Sequence, residues 1–373
     1  MAPAHHQPAA ATTVTTQDIR RAQRADGPAT VLAIATANPE TRISQDEYAD
    51  FYFRVTKSEH LPQLKEKLKR ISDQMEKENV HVLERGRPEG PSGVLRSQAS
   101  IPRCQGRDRF QRRAGACRGR RGEGHRRVGC PATDITHLIF STYSDLKAPS
   151  SDRRLASLLG LRHTVCRTIL SLHGCYGGGR ALQLAKEFAE NNRGARVLVA
   201  CSEISLIAFY GPEEGCPDNM VAHALFGDGS GAVIVGADPI GAVERPLFEM
   251  AFASQTTIPD SEGAITAQHK KGGMDYHIAG GVPEMLAGNI ERCLADAFGA
   301  IGVAARWKDL FWAVHPGGRR ILDLIEEALG LDNGAMAASR QVLREYGNMS
   351  GTTVIFVLNE LRRRSWTHLG HQV

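Results

Sequence analysis

The stretch Leu172-His173-Gly174-Cys175-Tyr176-Gly177-Gly178-Gly179 stands between two unlike patterns. The β-branched run around 168–172 predicts a strand, and the apolar residues at helical spacing over 176–191 predict a long helix. A strand feeding a helix through a glycine-rich turn is a building unit of α/β layers. Glycines on both sides of Cys175 permit a tight turn and close approach of a ligand. A thiol at a helix N-terminus feels the positive end of the macrodipole, which favours the nucleophilic thiolate. A small cysteine packed at a turn would satisfy the same residues, so the stretch by itself leaves both readings open.

Working outward, the same alternation recurs. Strands are expected over 30–36, 196–201, 231–236 and 310–315, with an apolar run over 136–141. Helices are expected over 45–55, 61–73, 152–159, 282–298, 320–329 and 335–346, followed by an apolar segment over 352–361. Strands separated by helical patterns of this length indicate an α/β protein with a substantial sheet content. Residues 1–17, rich in Ala, Thr and His, read as an unstructured tail without the basic and apolar regions of a secretory signal.

With 42% hydrophobic and 23% charged side chains in 373 residues, the chain is globular, which excludes disorder, collagen and a small disulfide scaffold. No uncharged apolar run reaches the 18 or so residues a membrane span needs. Eight cysteines without a CxxC pair point to reduced thiols, with no disulfide framework and no metal site, and hence to the cytosol. The net charge of +5 is unevenly distributed: residues 81–130 hold 13 Arg against 4 acidic residues, leaving the rest mildly acidic. The Arg-rich core of that segment, 85–127, has Phe110 as its lone aromatic and no periodicity that could bury a face. It offers neither a reader fold nor an aromatic platform, which argues against nucleic-acid binding.

Two further polar residues close apolar patterns. His315 ends Phe311-Trp312-Ala313-Val314-His315-Pro316-Gly317-Gly318, a strand end where α/β proteins commonly face their ligand crevice. A hydrogen-bonded structural histidine fits there too. Asn348, in Glu345-Tyr346-Gly347-Asn348-Met349-Ser350-Gly351, has ordinary helix-end chemistry as its plain reading. Together, Cys, His and Asn make a workable set, since imidazole can hold cysteine as thiolate while imidazole and carboxamide can stabilise an oxyanion or enolate. Phe226-Gly227-Asp228-Gly229-Ser230-Gly231 lacks the Lys and Ser/Thr of a P-loop and reads as a tight loop into a strand.

These blocks, together with Arg21 to Thr30, Thr36-Ala37-Asn38-Pro39 and Ala189 to Val199, closely resemble plant type III polyketide synthases of the chalcone synthase kind. The resemblance covers roughly Asp18 to Val80 and Pro131 to Arg364. It implies a thiolase-type layered αβαβα fold, a homodimer, and decarboxylative condensation of malonyl-CoA onto a starter acyl-CoA such as p-coumaroyl-CoA, as in flavonoid biosynthesis. No cofactor or metal is implied; the CoA thioesters are substrates. Carried over by position, Cys175 is the acyl-accepting nucleophile, and His315 and Asn348 polarise the thioester carbonyl during decarboxylation. Phe226 matches a gatekeeper phenylalanine, and Tyr276 stands where a second gatekeeper is usually Phe. Lys67 and Arg70 match residues that contact CoA phosphates, whereas a third basic position is Gln74.

In the pocket implied by the resemblance, Ser144 and Ser350 fit the family. Tyr143 and Ala208 replace Thr, Ala267 replaces Gly, and Ala148 stands where a Met usually reaches into the partner's site. These changes leave chain length and cyclisation open, with diketide, curcuminoid-type, stilbene-type and pyrone-forming enzymes differing by changes of this size. The resemblance implies an N-terminal half at 18–245 carrying the cysteine and a C-terminal half at 246–373 carrying the histidine and asparagine. Over 85–127 the family has helices, and the nearly conserved residue count between matching flanks suggests a compensated reading-frame lesion. The family's Gly-Phe-Gly-Pro-Gly loop and terminal strands are expected to be missing. An inactive or regulatory homologue and a single-condensation ketosynthase are therefore the alternatives to an active synthase.

Overall fold

The computed structural model describes residues 14–81 and 131–369, apart from positions 40, 146, 210, 214–216, 242 and 271–272. The Arg-rich segment at 85–127, with the frame lesion inferred for it, lies outside the described residues, as do residues 1–13.

The centre is a six-stranded sheet of β1 (Thr30–Ala37), β4 (His137–Thr142), β5 (Cys166–Ser171), β6 (Arg196–Glu203), β7 (Gly229–Gly236) and β8 (Phe248–Glu249), in the order β5-β4-β6-β7-β1-β8. β5, β4 and β6 run parallel, while the β6–β7, β7–β1 and β1–β8 pairs are antiparallel. Two small ribbons stand apart, β2 (Arg42–Ser44) with β3 (Asn79–His81), and β9 (Ile265–Lys270) with β10 (Gly273–Ile278).

Around these strands the helices are α1 (Thr16–Gln23), α2 (Gln45–Val55), α3 (Pro62–Asp73), α4 (Ser151–Leu159) and α5 (Gly177–Asn191). They continue as α6 (Pro217–Leu225), α7 (Val282–Ala300), α8 (Arg319–Ala328), α9 (Ala337–Tyr346) and α10 (Thr353–Leu369). α5 is seated by its sequence. Ala181, Ala185 and Ala189, one turn apart, are fully buried and bring the helix close to Val197, Val199, Val233 and Val235 of the sheet. Ile355 of α10 joins this cluster. On the opposite face Leu138, Phe140 and Ala200 pack on Leu155 and Ala156 of α4. The alternation within β4, with Ile139 on the α5 side between Leu138 and Phe140 on the α4 side, is the period of two that a sheet imposes.

The result is a mixed α/β fold of the thiolase type, with helix, sheet and helix layers built on this sheet. Two expectations need correction. The strand expected over 310–315 does not form: after a 3₁₀ turn at Trp307–Asp309, residues 310–316 run without a ladder partner, and the β9–β10 ribbon does not extend to them. A second large sheet is thus not present among the described residues. Gln17, assigned to the tail, lies in α1, where Thr15 and Asp18 exchange hydrogen bonds in a capping box. The apolar segment at 352–361 is helical as the start of α10.

Candidate active site

β5 delivers the chain to Cys175 through a strained turn. Leu172 and Gly174 adopt left-handed φ values of 60° and 61°, an uncommon conformation for leucine, before a 3₁₀ turn at Gly174–Tyr176 leads into α5. Two glycines then let another segment approach. A Cβ on Gly178 would overlap the carbonyl oxygen of Gly351, and one on Gly177 would come within 2.6 Å of Ser141 Oγ. The turn that follows Asn348 therefore packs, backbone on backbone, against the first turn of the cysteine's helix.

Asn348 is fixed at both main chain and side chain. Its N–H donates to Leu225 O at 3.0 Å, and its carbonyl accepts from Gly227 N at 3.1 Å, joining it to the Phe226 segment. Its Oδ1 accepts from Ser350 N at 2.8 Å, which turns Nδ2 toward Gly317 O at 3.3 Å. Cys175 Sγ lies 3.8 Å from both carboxamide atoms. Burial pushes the thiol pKa up; hydrogen bonding to Asn348 and Ser350 opposes this, and Glu203 adds to the rise. Burial thus works against the thiolate that the helix terminus was expected to favour.

His315 is tied in through Gly317, whose N–H donates to the His315 carbonyl at 2.9 Å and whose own carbonyl receives Asn348 Nδ2. Among the described residues neither imidazole nitrogen has a hydrogen-bond partner. Burial lowers the ring pKa to about 4, so the ring is neutral at pH 7. Among the described residues a buried imidazole here has no compensating charge beside it to hold a second proton.

Beside the thiol, three aromatic rings follow one another. Tyr143 and Tyr276 meet edge to face at 6.4 Å, and Tyr276 meets Phe226 at 5.3 Å. Burial and the neighbouring Tyr276 and Glu203 raise the Tyr143 phenol, which is hydrogen-bonded to Tyr276 and also feels Cys175. Tyr276 faces Ala267 across the β9–β10 ribbon. Phe226 and Tyr276 line a pocket with Ala208, Ser205, Ala222 and His223. Ser144 lies deeper, its hydroxyl donating to Glu203 Oε2 at 3.0 Å and accepting from Ile204 N at 2.9 Å.

Cys175, Asn348, Ser350, Phe226, Tyr276 and Tyr143 thus form one connected cluster, with His315 joined through Gly317. Lys67 and Arg70 do not reach it and lie on the exposed face of α3, whose C-cap is Gln74. The Phe226-Gly227-Asp228 loop is no phosphate cradle: Asp228 is buried, and its Oδ1 accepts from both the amide and the hydroxyl of Ser205 at 2.6 Å.

Two residues in the neighbourhood carried no marked sequence signal. Glu203, at the end of β6, takes hydrogen bonds on Oε2 from Thr142 Oγ1 at 3.3 Å and Tyr143 N at 3.1 Å as well as from Ser144. Burial raises its pKa to about 8. The acid that interrupts an otherwise apolar strand was the available hint. Lys77, in a polar stretch, gave none.

The fold and this cluster define a thiolase-type α/β protein with a cysteine and a carboxamide in contact at a helix start. The family model described as chalcone and stilbene synthases, N-terminal domain, matches residues 16–239, and the corresponding C-terminal domain matches 249–372. The chain belongs to the chalcone and stilbene synthase family, the type III polyketide synthases.

Proposed function

We propose that the chain is an acyltransferase that condenses malonyl-CoA onto a starter acyl-CoA, p-coumaroyl-CoA or a related aromatic thioester being the starter class. The observation that carries this is the fixed carboxamide of Asn348 at 3.8 Å from Cys175 Sγ, in a chain of this family. Cys175 Sγ attacks the starter thioester carbonyl and CoA thiol leaves, its proton drawn from Cys175. A neutral His315 is suited to carrying that proton, since its ring nitrogens are unoccupied. Malonyl-CoA then loses carbon dioxide. The enolate, with its oxygen held by Asn348 Nδ2 and His315, attacks the Cys175-bound acyl carbon and expels Cys175 as a thiolate, which takes up a proton to restore the thiol.

Phe226, Tyr276, Tyr143, Ala208, Ala267, Ser144 and Ser350 line or support the acyl pocket in this reading, and Lys67 and Arg70 bind CoA phosphates at the surface. The protein is cytosolic and acts as a homodimer in the flavonoid chemistry of a plant. Support for the dimer comes from β5, an edge strand of the large sheet, beside the exposed Leu172 and Tyr176. The two halves meet near residues 245–246.

A second reading, a homologue that keeps the fold without turnover, is favoured by residues 310–316. Among the described residues they have no strand partner, and Phe311 is 93% exposed. Mass spectrometry after incubation with p-coumaroyl-CoA and malonyl-CoA separates the readings. A synthase carries the starter acyl group on Cys175 and releases carbon dioxide and a polyketide; acylation without product supports the second reading, and failure of Cys175→Ala to abolish acylation overturns the first.

A further inference from the structure

Lys77 lies just before β3, yet only 4% of it is exposed. Among the described residues no carboxylate stands within ion-pairing distance of its Nζ. Instead Nζ donates to the main-chain carbonyl of Phe226 at 2.7 Å and to that of Ala224 at 3.4 Å. The side chain reaches them by passing over Gly347, where an added Cβ would come within 2.9 Å of Lys77 Cε. The Ala224 carbonyl also accepts from Gln45 Nε2 at 3.1 Å.

These bonds bracket the groups that hold Asn348. Leu225 O, between the two carbonyls bound by lysine, receives the Asn348 amide, and the next amide along, Gly227 N, donates to the Asn348 carbonyl. We propose that Lys77 is a positioning residue for Cys175: it clamps the 224–227 backbone from beneath, and that backbone sets the Asn348 carboxamide against the sulfur. The charged groups that act on Lys77 fit such a role. Asp228 favours its ammonium form, His223 on α6 is neutral at pH 7 with a pKa near 4, and burial brings the lysine itself down to about 7. A buried amine with so little charge compensation is held in place by its bonds to backbone.

The proposal rests on Cys175 being the reactive thiol, and its test is arranged to read that point separately. In the full-length protein, iodoacetamide labelling followed by peptide mass spectrometry gives the alkylation rate of Cys175 against pH. Preferential labelling of Cys175 in the parent is the condition; preferential labelling of another cysteine counts against the site reading itself. Lys77→Met should change the Cys175 rate about tenfold, the size of one lost hydrogen bond transmitted to the pair, and shift its pH midpoint. Lys77→Arg, which restores donors, should return the rate to within about threefold of the parent. In an Asn348→Ala background, Lys77→Met should have less than about a twofold effect, because the group it acts through is gone.

Equal changes in both backgrounds, or a parent-like rate and pH midpoint in Lys77→Met, would overturn the proposal even if Cys175 is the reactive thiol. Should Lys77→Met be recovered only as aggregate, Lys77→Gln, which keeps a donor on a shorter arm, enters the same two-background comparison. The same non-additivity is expected, and additivity would reject it.

Discussion

β6 and residues 310–316 each lead from an apolar run to a polar side chain near the Cys175 cluster, Glu203 in one case and His315 in the other, but they are held in different ways. β6 is flanked by β4 and β7, covered on both faces, and buried at all but one of its eight positions. Among the described residues the 310–316 segment has no neighbouring strand. It is anchored by Trp312, which packs among Leu322, Ile325 and Met336, and by the Ser339 hydroxyl donating to Val314 O at 2.7 Å. Glu203 consequently sits in a filled hydrogen-bond network, while the buried nitrogens of the His315 ring have no partner among the described residues. An apolar run becomes a strand only where a neighbouring backbone can pair with it.

The largest effect that tests this contrast is on stability. Phe140→Ala should cost about 3–5 kcal/mol, because Phe140 is fully buried between the sheet and α4. Chemical denaturation measures it; a loss below about 1 kcal/mol would show that the sheet is less tightly packed than described.

At the meeting point of the two regions, Asn348→Ala should lower carbon dioxide release from malonyl-CoA by roughly 10²- to 10³-fold, as for one lost oxyanion donor. A folded variant with unchanged release would reduce Asn348 to a support for the Phe226 segment.

The titrations of Glu203 and His315 should act in opposite directions. Glu203 has a folded pKa of about 8, raised from 4.5, so folding holds its proton and stability falls as pH rises from about 4.5 to 8. His315 has a folded pKa of about 4, lowered from 6.5, so the unfolded chain binds the extra proton and stability rises with pH from about 4 to 6.5. Thermal melts should therefore show Glu203→Gln gaining on the parent as pH rises toward 8, and His315→Gln losing its disadvantage as pH falls toward 4. Parallel shifts at all pH values would contradict the burial of both groups.

The smallest effect sharpens the contrast from the other side. Phe311→Ser should change stability by no more than about 0.5 kcal/mol, since the ring is 93% exposed. A loss near that of Phe140→Ala would mean that Phe311 is covered in solution.

Much of the site was legible in order along the chain. Cys175 announced itself by a strand, a glycine turn and a helix, and α2 runs over the same residues that the pattern indicated. The small ribbons were not legible, because strands of three to six residues are too short to show a clear alternation, and β9 is also mostly exposed. α1 was missed for a different reason: its signal is a capping box in a segment without a buried residue.

Local sequence determined the helix faces, the glycine positions and the residue types that can do acyl chemistry, because propensity, periodicity and turn stereochemistry act over a few residues. Tertiary structure alone decided that Asn348, 173 residues from Cys175, would touch it, that burial would push the thiol pKa up, and that 310–316 would find no strand partner among the described residues. Contact, burial and strand pairing depend on which distant backbone arrives alongside, and no stretch of the chain contains that information by itself.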